Sequence, residues 1–406
     1  MIWRWDERAF EAAQQPRPQS ETQPARLKAV VCLEDEYVSD LVLDAFRRRP
    51  DWIVSTSADA AASADGVHQL WVEYELINWG LVHQGDLRAN CYCIRKGLIR
   101  KAQLAVNLKN TLRRLCVRFL RQVRDMADGS AIWIAKPSIT NQGAGICVFD
   151  RVSTLQAAVE AAEDLHEWVV QRYIDRPLLV DGRKFHLRAY VLCVGSLTAY
   201  VFDEILVLCA PDKYDAALRE LGNQRSHLTN TCLQTAPSED PHGDVQDPGT
   251  AEDLGLIKLL SELPQVLANE GQDLQVMQRR CRQASVDVQN VIGECMEAVS
   301  HELTFFTLPN CFELFGFDLL VDEDWRVWLL EANAEPDFRQ TGDRLRPVVA
   351  GVVEGTMQTA VDSWAAQELG RTCNVQPSST QRLGAWQEVF CSQVAGRQGV
   401  SGMSMS

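Results

Sequence analysis

A pair of apolar strands that carry acidic side chains limits the folds open to this chain. Leu314–Val321 and Arg326–Ala332 have the residue pattern of two β-strands joined as a hairpin. Asp318 lies in the first strand and Glu331 lies in the second, and Asn333 is the first residue after the second strand. An unpaired carboxylate among Phe, Leu and Trp costs free energy, so the fold must compensate these acids.

The hairpin register decides whether the polar side chains meet. We expect residues 322–325 to form a four-residue loop, so that Val321 faces Arg326 and Asp318 faces Leu329. The other two polar side chains then follow at a spacing of two, on the same face as Asp318. A register shift of one residue would separate Asp318 from them.

A divalent cation resolves the cost of gathering these groups on one face. Asp318, Glu331 and Asn333 offer two carboxylates and an amide oxygen. This donor set suits Mg²⁺, which takes oxygen ligands and shares its shell with phosphates. The simpler interpretation is a hairpin with a few exposed acids, which the apolar flanks of both strands disfavour.

A second group of candidates is cationic. Lys136 closes an apolar strand just before a turn that contains Gly143 and Gly145. Such a turn lets backbone N–H groups approach phosphate oxygens, and a lysine adds a point charge. Lys101 and Lys184 are further candidates. A G-x-G turn is weak by itself and lysines also lie on surfaces, but together with the acidic hairpin they indicate a nucleotide site.

Charge is distributed unevenly along the chain. The 406 residues carry a formal net charge of −15, which argues against a general binder of polyanions such as nucleic acid. Residues 95–124 nevertheless hold ten Lys or Arg and no Asp or Glu. Either this run is a solvated helix face, since its leucines keep a helical period, or it is a surface for an acidic partner.

The apolar stretches and the cysteines indicate where in the cell the protein acts. The longest nearly uncharged apolar stretch, Ala189–Phe202, is shorter than the roughly 20 residues that span a bilayer, so no membrane association is expected. The 13 cysteines include no C-x-x-C pair. We therefore expect reduced thiols in a cytoplasmic protein.

The order of predicted elements indicates an α+β protein of several units. Strand, helix and strand patterns in Ala29–Leu33, Glu34–Arg49 and Gln69–Tyr74 predict a small N-terminal α/β domain. Strands, hairpins and helices then continue to about residue 370. The expected divisions are an N-terminal domain, a central subdomain, a C-terminal subdomain and a flexible tail, at residues 1–90, 91–195, 196–370 and 371–406.

Six short motifs follow one another along the chain. They are Ile134-Ala-Lys136, Gln171-Arg-Tyr-Ile174, Arg183-Lys-Phe-His-Leu-Arg188, His227-Leu-Thr-Asn230, Phe315-Gly-Phe-Asp318 and Leu330-Glu-Ala-Asn333. This is the order found in tubulin–tyrosine ligase-like proteins, and the chain resembles that family over about residues 90–365. The run Glu335-Pro-Asp-Phe-Arg-Gln-Thr-Gly342 resembles the fungal branch. The resemblance implies an ATP-grasp fold, in which two α+β subdomains hold ATP between them.

The resemblance also implies roles for individual residues. It implies that Arg188 grips the acceptor carboxylate, and that Thr229 and Asn230 lie near the γ-phosphate and the incoming amino acid. His186 and the two glycines of the turn are placed with the nucleotide. The residues implied to contact ATP phosphates or base are Lys101, Lys136, Gln171, Arg172, Tyr173, Ile174 and Lys184, and those implied to hold Mg²⁺ are Asp318, Glu331 and Asn333.

The implied activity is ATP-dependent joining of tyrosine or glutamate to a protein carboxylate through an acylphosphate. The implied acceptor is the acidic C-terminal tail of tubulin, which would give the basic run a purpose. We expect a monomer that acts in the cytoplasm, either on microtubules or in mRNA granules (P-bodies).

Three departures from the family pattern keep alternatives open. His186 stands where most of the family has Asp, Asp203 replaces an expected arginine, and the stretch 102–130 is short. An anion in place of a cation reverses the local field. A catalytically impaired scaffold that binds ATP or a P-body partner is therefore the rival hypothesis, and a small-molecule ligase is a third.

Overall fold

Three β-sheets flanked by helices make up the described part of the chain. The computed structural model describes residues 26–112, 131–139, 144–162, 167–215, 221–229, 255–338, 342–370 and 386–392. The strands are Leu27–Cys32 (β1), Trp52–Ser55 (β2), Gln69–Val72 (β3), Trp133–Pro137 (β4), Cys147–Phe149 (β5), Trp168–Arg172 (β6), Leu179–Val180 (β7), Arg183–Val194 (β8), Thr198–Phe202 (β9), Leu206–Cys209 (β10), Ile257–Leu259 (β11), Phe312–Val321 (β12), Val327–Ala334 (β13) and Trp386–Cys391 (β14).

The helices lie between these strands. They are Glu36–Arg47 (α1), Ala58–Ser63 (α2), Trp79–Gln84 (α3), Lys96–Ile99 (α4), Lys101–Leu112 (α5), Val152–Ala161 (α6), Gln224–His227 (α7), Leu263–Asn269 (α8), Leu274–Ser300 (α9), Arg346–Thr356 (α10) and Ser363–Glu368 (α11), with a 3₁₀ turn at Tyr74–Leu76 and a π-helical segment at Met357–Asp362. Within these ranges, no helix is both long and apolar enough to cross a membrane.

The N-terminal unit is a parallel sheet in the order β2-β1-β3. Asp35 caps the N-terminus of helix α1, and its carboxylate accepts a hydrogen bond from the backbone N–H of Tyr37 at 2.9 Å. Its apolar face, which includes Leu41 and Phe46, is buried in the same core as alternate apolar residues of β1. The predicted strand–helix–strand pattern is confirmed, and the structure adds β2.

A small antiparallel sheet, in the order β5-β4-β6, forms the central unit together with α6. Its core is modest and consists of Trp133, Ala135 and Phe149, with Leu155 of α6 packed against them. This sheet ends at Arg172.

The largest sheet has eight strands and runs β11-β10-β8-β12-β13, with β7 and β9 also paired to β8 and β14 paired to β9. The twelve-residue strand β8 pairs along one edge with β12, and along the other with β9 and β10 in succession. Helix α9 buries one side of its 27 residues against one face of the sheet, whereas α10 and the π-helical segment pack on the other.

The sheets bear on two of the predicted divisions. The boundary expected at residue 195 falls inside the large sheet, because β8 is central to it; the small sheet ends and the large sheet begins between Arg172 and Leu179. The prediction that 371–406 form a flexible tail is wrong for β14. This strand pairs with β9, and Trp386 is buried against Phe202 and beside Gly355.

Candidate functional site

A cleft of about 890 Å³ opens between the small sheet and the large sheet. Most of the predicted site residues line it, namely Lys101, Lys136, Gln171, Arg172, Tyr173, Ile174, Lys184, His186, Arg188, Thr229, Asp318, Glu331 and Asn333. Gly145 adopts a positive φ of 74° but is not among the lining residues, whereas its neighbour Ile146 is. Gly143 and Asn230 lie outside the described residues.

The acidic hairpin has a different register from the predicted one. Near the turn, Val321 pairs with Val327 and not with Arg326. If that register continued, Asp318 would face Leu330, and Glu331 would point to the opposite side. A β-bulge at this point leaves Leu330 without a partner in the ladder, and Asp318 pairs directly with Glu331. The three polar groups therefore share one face, as predicted, but the bulge is the cause.

The turn explains why the register is shifted. The Asp322 carboxylate accepts hydrogen bonds from the backbone N–H groups of Asp324 at 3.0 Å and Arg326 at 2.9 Å, and from Trp328 Nε1 at 2.9 Å. This side chain organises a loop longer than the predicted one, with Trp325 at a φ of 67°.

The Asn333 amide lies within hydrogen-bonding range of both hairpin carboxylates. Asn333 Nδ2 is 3.3 Å from Asp318 Oδ2 and 3.5 Å from Glu331 Oε1. The amide presents its nitrogen to the two carboxylates, and rotating it would present its oxygen to a cation. Among the described residues, no three side chains of the His, Cys, Asp and Glu types already form a metal-binding group. The hairpin itself offers two acids and one amide.

Each acid of the hairpin is also neutralised by the protein. Arg188 on β8 donates to both Asp318 oxygens, from Nε to Oδ1 and from Nη2 to Oδ2 at 3.0 Å. Burial favours the neutral acid, but Arg188 and then His186 outweigh it and hold the pKa of Asp318 below its ordinary value. Glu331 is paired with Lys101 Nζ at 3.2 Å.

Two lysines line the cleft almost out of contact with solvent. Lys136, at the end of β4, and Lys184, near the start of β8, are each 7% exposed. Burial lowers the pKa of Lys136. Burial, followed by the charge of Lys136, lowers the pKa of Lys184 to about 7. Both ammonium groups are therefore poised to gain an anionic partner.

Hydrogen bonds join two residues of β8, Lys184 and His186, to the end of α7 and the segment after it. Lys184 Nζ donates to the Tyr173 hydroxyl at 2.9 Å, and that hydroxyl is 2.9 Å from His227 Nδ1. Two residues on, Thr229 Oγ1 is 2.6 Å from His186 Nδ1. His227 was part of a recognised motif, but sequence reasoning did not place it in the site, because its partner lies 54 positions away.

Arg95 is a second residue that the sequence did not place near the site. It pairs with Glu313, which is 1% exposed, and with Glu335 at 3.0 Å. Burial raises the pKa of Glu313 to about 7, although Arg95 opposes this. Glu335 lines the cleft, so Arg95 links the cleft-lining segment after β13 to Glu313 near the start of β12.

Asp203, which replaces the expected arginine, is exposed after the end of β9. It is not among the described residues that line the cleft. The described part of the cleft lining therefore gives no support to the expected reversal of the field at the reacting phosphate.

The chemistry of the residues that line the cleft fits a nucleoside triphosphate with a divalent cation. Lys101, Lys136 and Lys184 supply positive charge, and Asp318 and Glu331 supply oxygen donors opposite them. The cleft volume falls in the range of small-molecule and cofactor sites.

Comparisons with known proteins agree on the family. The sequence model of the tubulin-tyrosine ligase family matches residues 88–368. A probable tubulin–tyrosine ligase of Schizosaccharomyces pombe is 28% identical over 400 residues, covering 82% of this chain and 91% of that protein. The probable tubulin–tyrosine ligase PBY1 of Saccharomyces cerevisiae is 30% identical over 283 residues, covering 60% of this chain and 35% of that protein, or about a third of its length.

A solved structure shows the same fold. The C-terminal domain of Kluyveromyces lactis Pby1, described as an ATP-grasp enzyme that interacts with the mRNA decapping enzyme Dcp2, superposes with a TM-score of 0.62 at 24% identity. The match covers 90% of this chain and 99% of that domain. The fold is therefore an α+β ATP-grasp fold, and the chain belongs to the tubulin–tyrosine ligase family.

Proposed function

We propose that this chain is an ATP-dependent ligase that joins tyrosine or glutamate to a carboxylate of a protein. The observation that carries the proposal is the convergence of Asp318, Glu331 and Asn333 on the cleft that also holds Lys136 and Lys184. Membership of the ligase family and the ATP-grasp fold support the class of reaction and ATP as the co-substrate.

The proposed chemistry begins with an unreactive acceptor. A carboxylate is a poor electrophile because its carbon bears delocalised negative charge. Transfer of the γ-phosphoryl group to it gives an acylphosphate, and the amine of the free amino acid then displaces phosphate. Lys136 and Lys184 would neutralise the phosphate oxygens during the transfer. Mg²⁺, when held by the hairpin, would supply further charge neutralisation.

Three other residues have proposed roles in positioning. Arg188, which lies beside Asp318 and four residues after Lys184 on β8, would orient the acceptor carboxylate. Thr229, held by His186, would face the γ-phosphate and the incoming amino acid. The same role is proposed for Asn230, which lies outside the described residues.

An acidic peptide such as the tubulin C-terminal tail is the proposed acceptor. Helix α4 packs against β13 and leaves Lys96 and Arg100 exposed next to Lys101 of the cleft. These cations would attract a peptide rich in glutamate. The names of the S. pombe and S. cerevisiae relatives support this acceptor. The proposed setting is the cytoplasm, and the proposed acting form is a monomer.

The test is ligation of purified protein with an α-tubulin tail peptide, ATP, Mg²⁺ and each of Tyr, Glu and Gly, followed by mass spectrometry. We expect a mass shift of one residue with Tyr or Glu. Asp318→Asn and Glu331→Gln should abolish the shift, and Glu297→Gln, an exposed acid on α9, should retain it. No shift with any amino acid, in protein that binds ATP, would remove the proposal. Transfer to free acids alone would indicate a small-molecule ligase.

The second candidate is a scaffold that keeps the fold and binds a granule partner. The bidentate hold of Arg188 on Asp318 favours it, since this guanidinium covers a proposed metal ligand. The K. lactis domain is described as interacting with Dcp2, so a decapping enzyme is the partner to test. Binding of purified decapping enzyme by a chain without ligation activity would support the scaffold. Ligation that appears only in Asp203→Arg would also support it.

A further inference from the structure

His186 occupies an unusual position within the site. Its imidazole is 5% exposed, and the residue lies on β8 between Lys184 and Arg188. One ring nitrogen, Nδ1, is 2.6 Å from Thr229 Oγ1. The other, Nε2, points toward the acidic hairpin and has no hydrogen-bond partner among the described residues. A buried ring nitrogen without a partner needs an explanation.

The distance from His186 Nε2 to the hairpin suggests why this nitrogen has no hydrogen-bond partner. Nε2 lies 3.6 Å from Asp318 Oδ1, which is longer than a normal hydrogen bond between these atoms. Two donor atoms that each bind one cation at about 2.1–2.2 Å lie about 3.0–4.3 Å apart, depending on the angle between them. The observed separation falls within that range, so the pair is spaced to share an ion.

The contact on the far side of the ring sets a suitable tautomer. If Nδ1–H donates to the Thr229 hydroxyl, the lone pair of the imidazole is on Nε2 and faces Asp318. Histidines that bind metals commonly donate their second ring N–H to an oxygen in this way. Thr229 would then be a positioning residue for the imidazole.

We propose that His186 Nε2 is a direct ligand of the divalent cation, together with Asp318 and the oxygens of Glu331 and Asn333. The inference rests on the cation site of the proposed function and adds a nitrogen donor to it. Imidazole favours transition metals over Mg²⁺, while carboxylate and carbonyl oxygens still suit Mn²⁺. The site is therefore selective for Mn²⁺ over Mg²⁺.

The surrounding charges are compatible with this ligand set. Arg188 occupies both oxygens of Asp318, but each carboxylate oxygen can accept a second interaction. Glu331 is held by Lys101, whose ammonium would pass to a phosphate oxygen when nucleotide binds. The rival account is that Nε2–H points at Asp318 as a weak structural contact, which requires no metal.

The experiment is electron spin-echo spectroscopy of Mn²⁺ bound to the full chain with the β,γ-methylene analogue of ATP, whose bridge contains no nitrogen. We expect the ¹⁴N modulation of one coordinated imidazole in the wild type. His186→Asp should abolish that modulation while keeping Mn²⁺ bound through oxygen. His301→Asp, an exposed histidine after α9, should leave the modulation intact.

A competition titration gives a second readout on the same proteins. The preference for Mn²⁺ over Mg²⁺ should fall by about 10–100-fold in His186→Asp and remain unchanged in His301→Asp. His186→Asn, with a smaller change in charge, replaces the aspartate variant if that variant melts early.

The outcomes separate this inference from the proposed function. Bound Mn²⁺ without ¹⁴N modulation in the wild type, or an unchanged metal preference in both His186 variants, overturns the nitrogen ligand and leaves the ligase proposal standing. Failure of Mn²⁺ and of Mg²⁺ to bind with nucleotide overturns both. Modulation that vanishes with His186, in a chain that lacks ligation activity, supports the nitrogen ligand and counts against the ligase alone.

Discussion

Lys184 should make nucleotide binding depend on pH. Its Nζ is buried beneath the cleft, and burial, followed by Lys136, lowers its pKa from 10.5 to about 7. The difference corresponds to roughly 5 kcal/mol against the charged form. A triphosphate beside Nζ favours the charged form instead, so binding at and above pH 7 takes up a proton.

The size of the effect follows from the fraction of ammonium present. Between pH 7 and pH 8 that fraction falls from about one half to about one tenth, so the apparent affinity for ATP should fall about fivefold. Above pH 8 the decline should approach about tenfold per pH unit. Isothermal titration calorimetry in buffers of different ionisation enthalpy measures both the affinity and the proton uptake.

Matched variants test whether Lys184 is the source of the pH dependence of ATP binding. Lys184→Met should bind ATP weakly and show a flat profile, while Lys258→Met, in β11 outside the cleft lining, should keep the wild-type slope. A wild-type affinity that stays constant from pH 7 to pH 9 without proton uptake would refute the reasoning, as would a slope that survives in Lys184→Met.

Other predictions concern stability, measured by urea unfolding. Arg95→Met leaves Glu313 buried without its cation and should cost about 3–5 kcal/mol, and adding Glu313→Gln should restore part of the loss; an Arg95→Met chain as stable as wild type would contradict this. Trp386→Ala should cost about 3–5 kcal/mol, and Gln387→Ala, exposed on the same strand, should stay within about 0.5 kcal/mol; equal effects would show that β14 does not pack as described. Gly355→Ala should destabilise by about 1–3 kcal/mol despite the better helix propensity of alanine, because its Cβ would lie 2.6 Å from Trp386 Nε1, and a stability gain would disprove that contact.

Local pattern was enough to predict the acidic hairpin but not its register. The apolar flanks of Asp318 fixed which strands pair and indicated a buried site. The longer loop organised by Asp322 shifts the strand register near the turn, and the bulge at Leu330 restores the pairing of Asp318 with the face of Glu331. Both features depend on hydrogen bonds that the alternation of apolar and polar residues does not encode. The correct face was therefore predicted from an incorrect pairing.

Contacts between distant segments account for what the sequence did not reveal. Trp386 lies in the segment that the sequence analysis assigned to a flexible tail, because its partner strand β9 lies more than 180 positions earlier in the chain. The same holds for Arg95 and Glu313, which are 218 positions apart. A basic run predicts a charged surface, yet Arg95 is drawn inward because a buried carboxylate needs a cation.

The C-terminal strand has a practical consequence for anyone who trims the chain. The family match ends at residue 368, which invites truncation soon after α11. Such a truncation would uncover the hydrogen-bonding backbone of β9 and leave an apolar hole beside Phe202. An unprotected sheet edge recruits strands from other molecules, so the shortened protein should self-associate and precipitate even with its cleft intact.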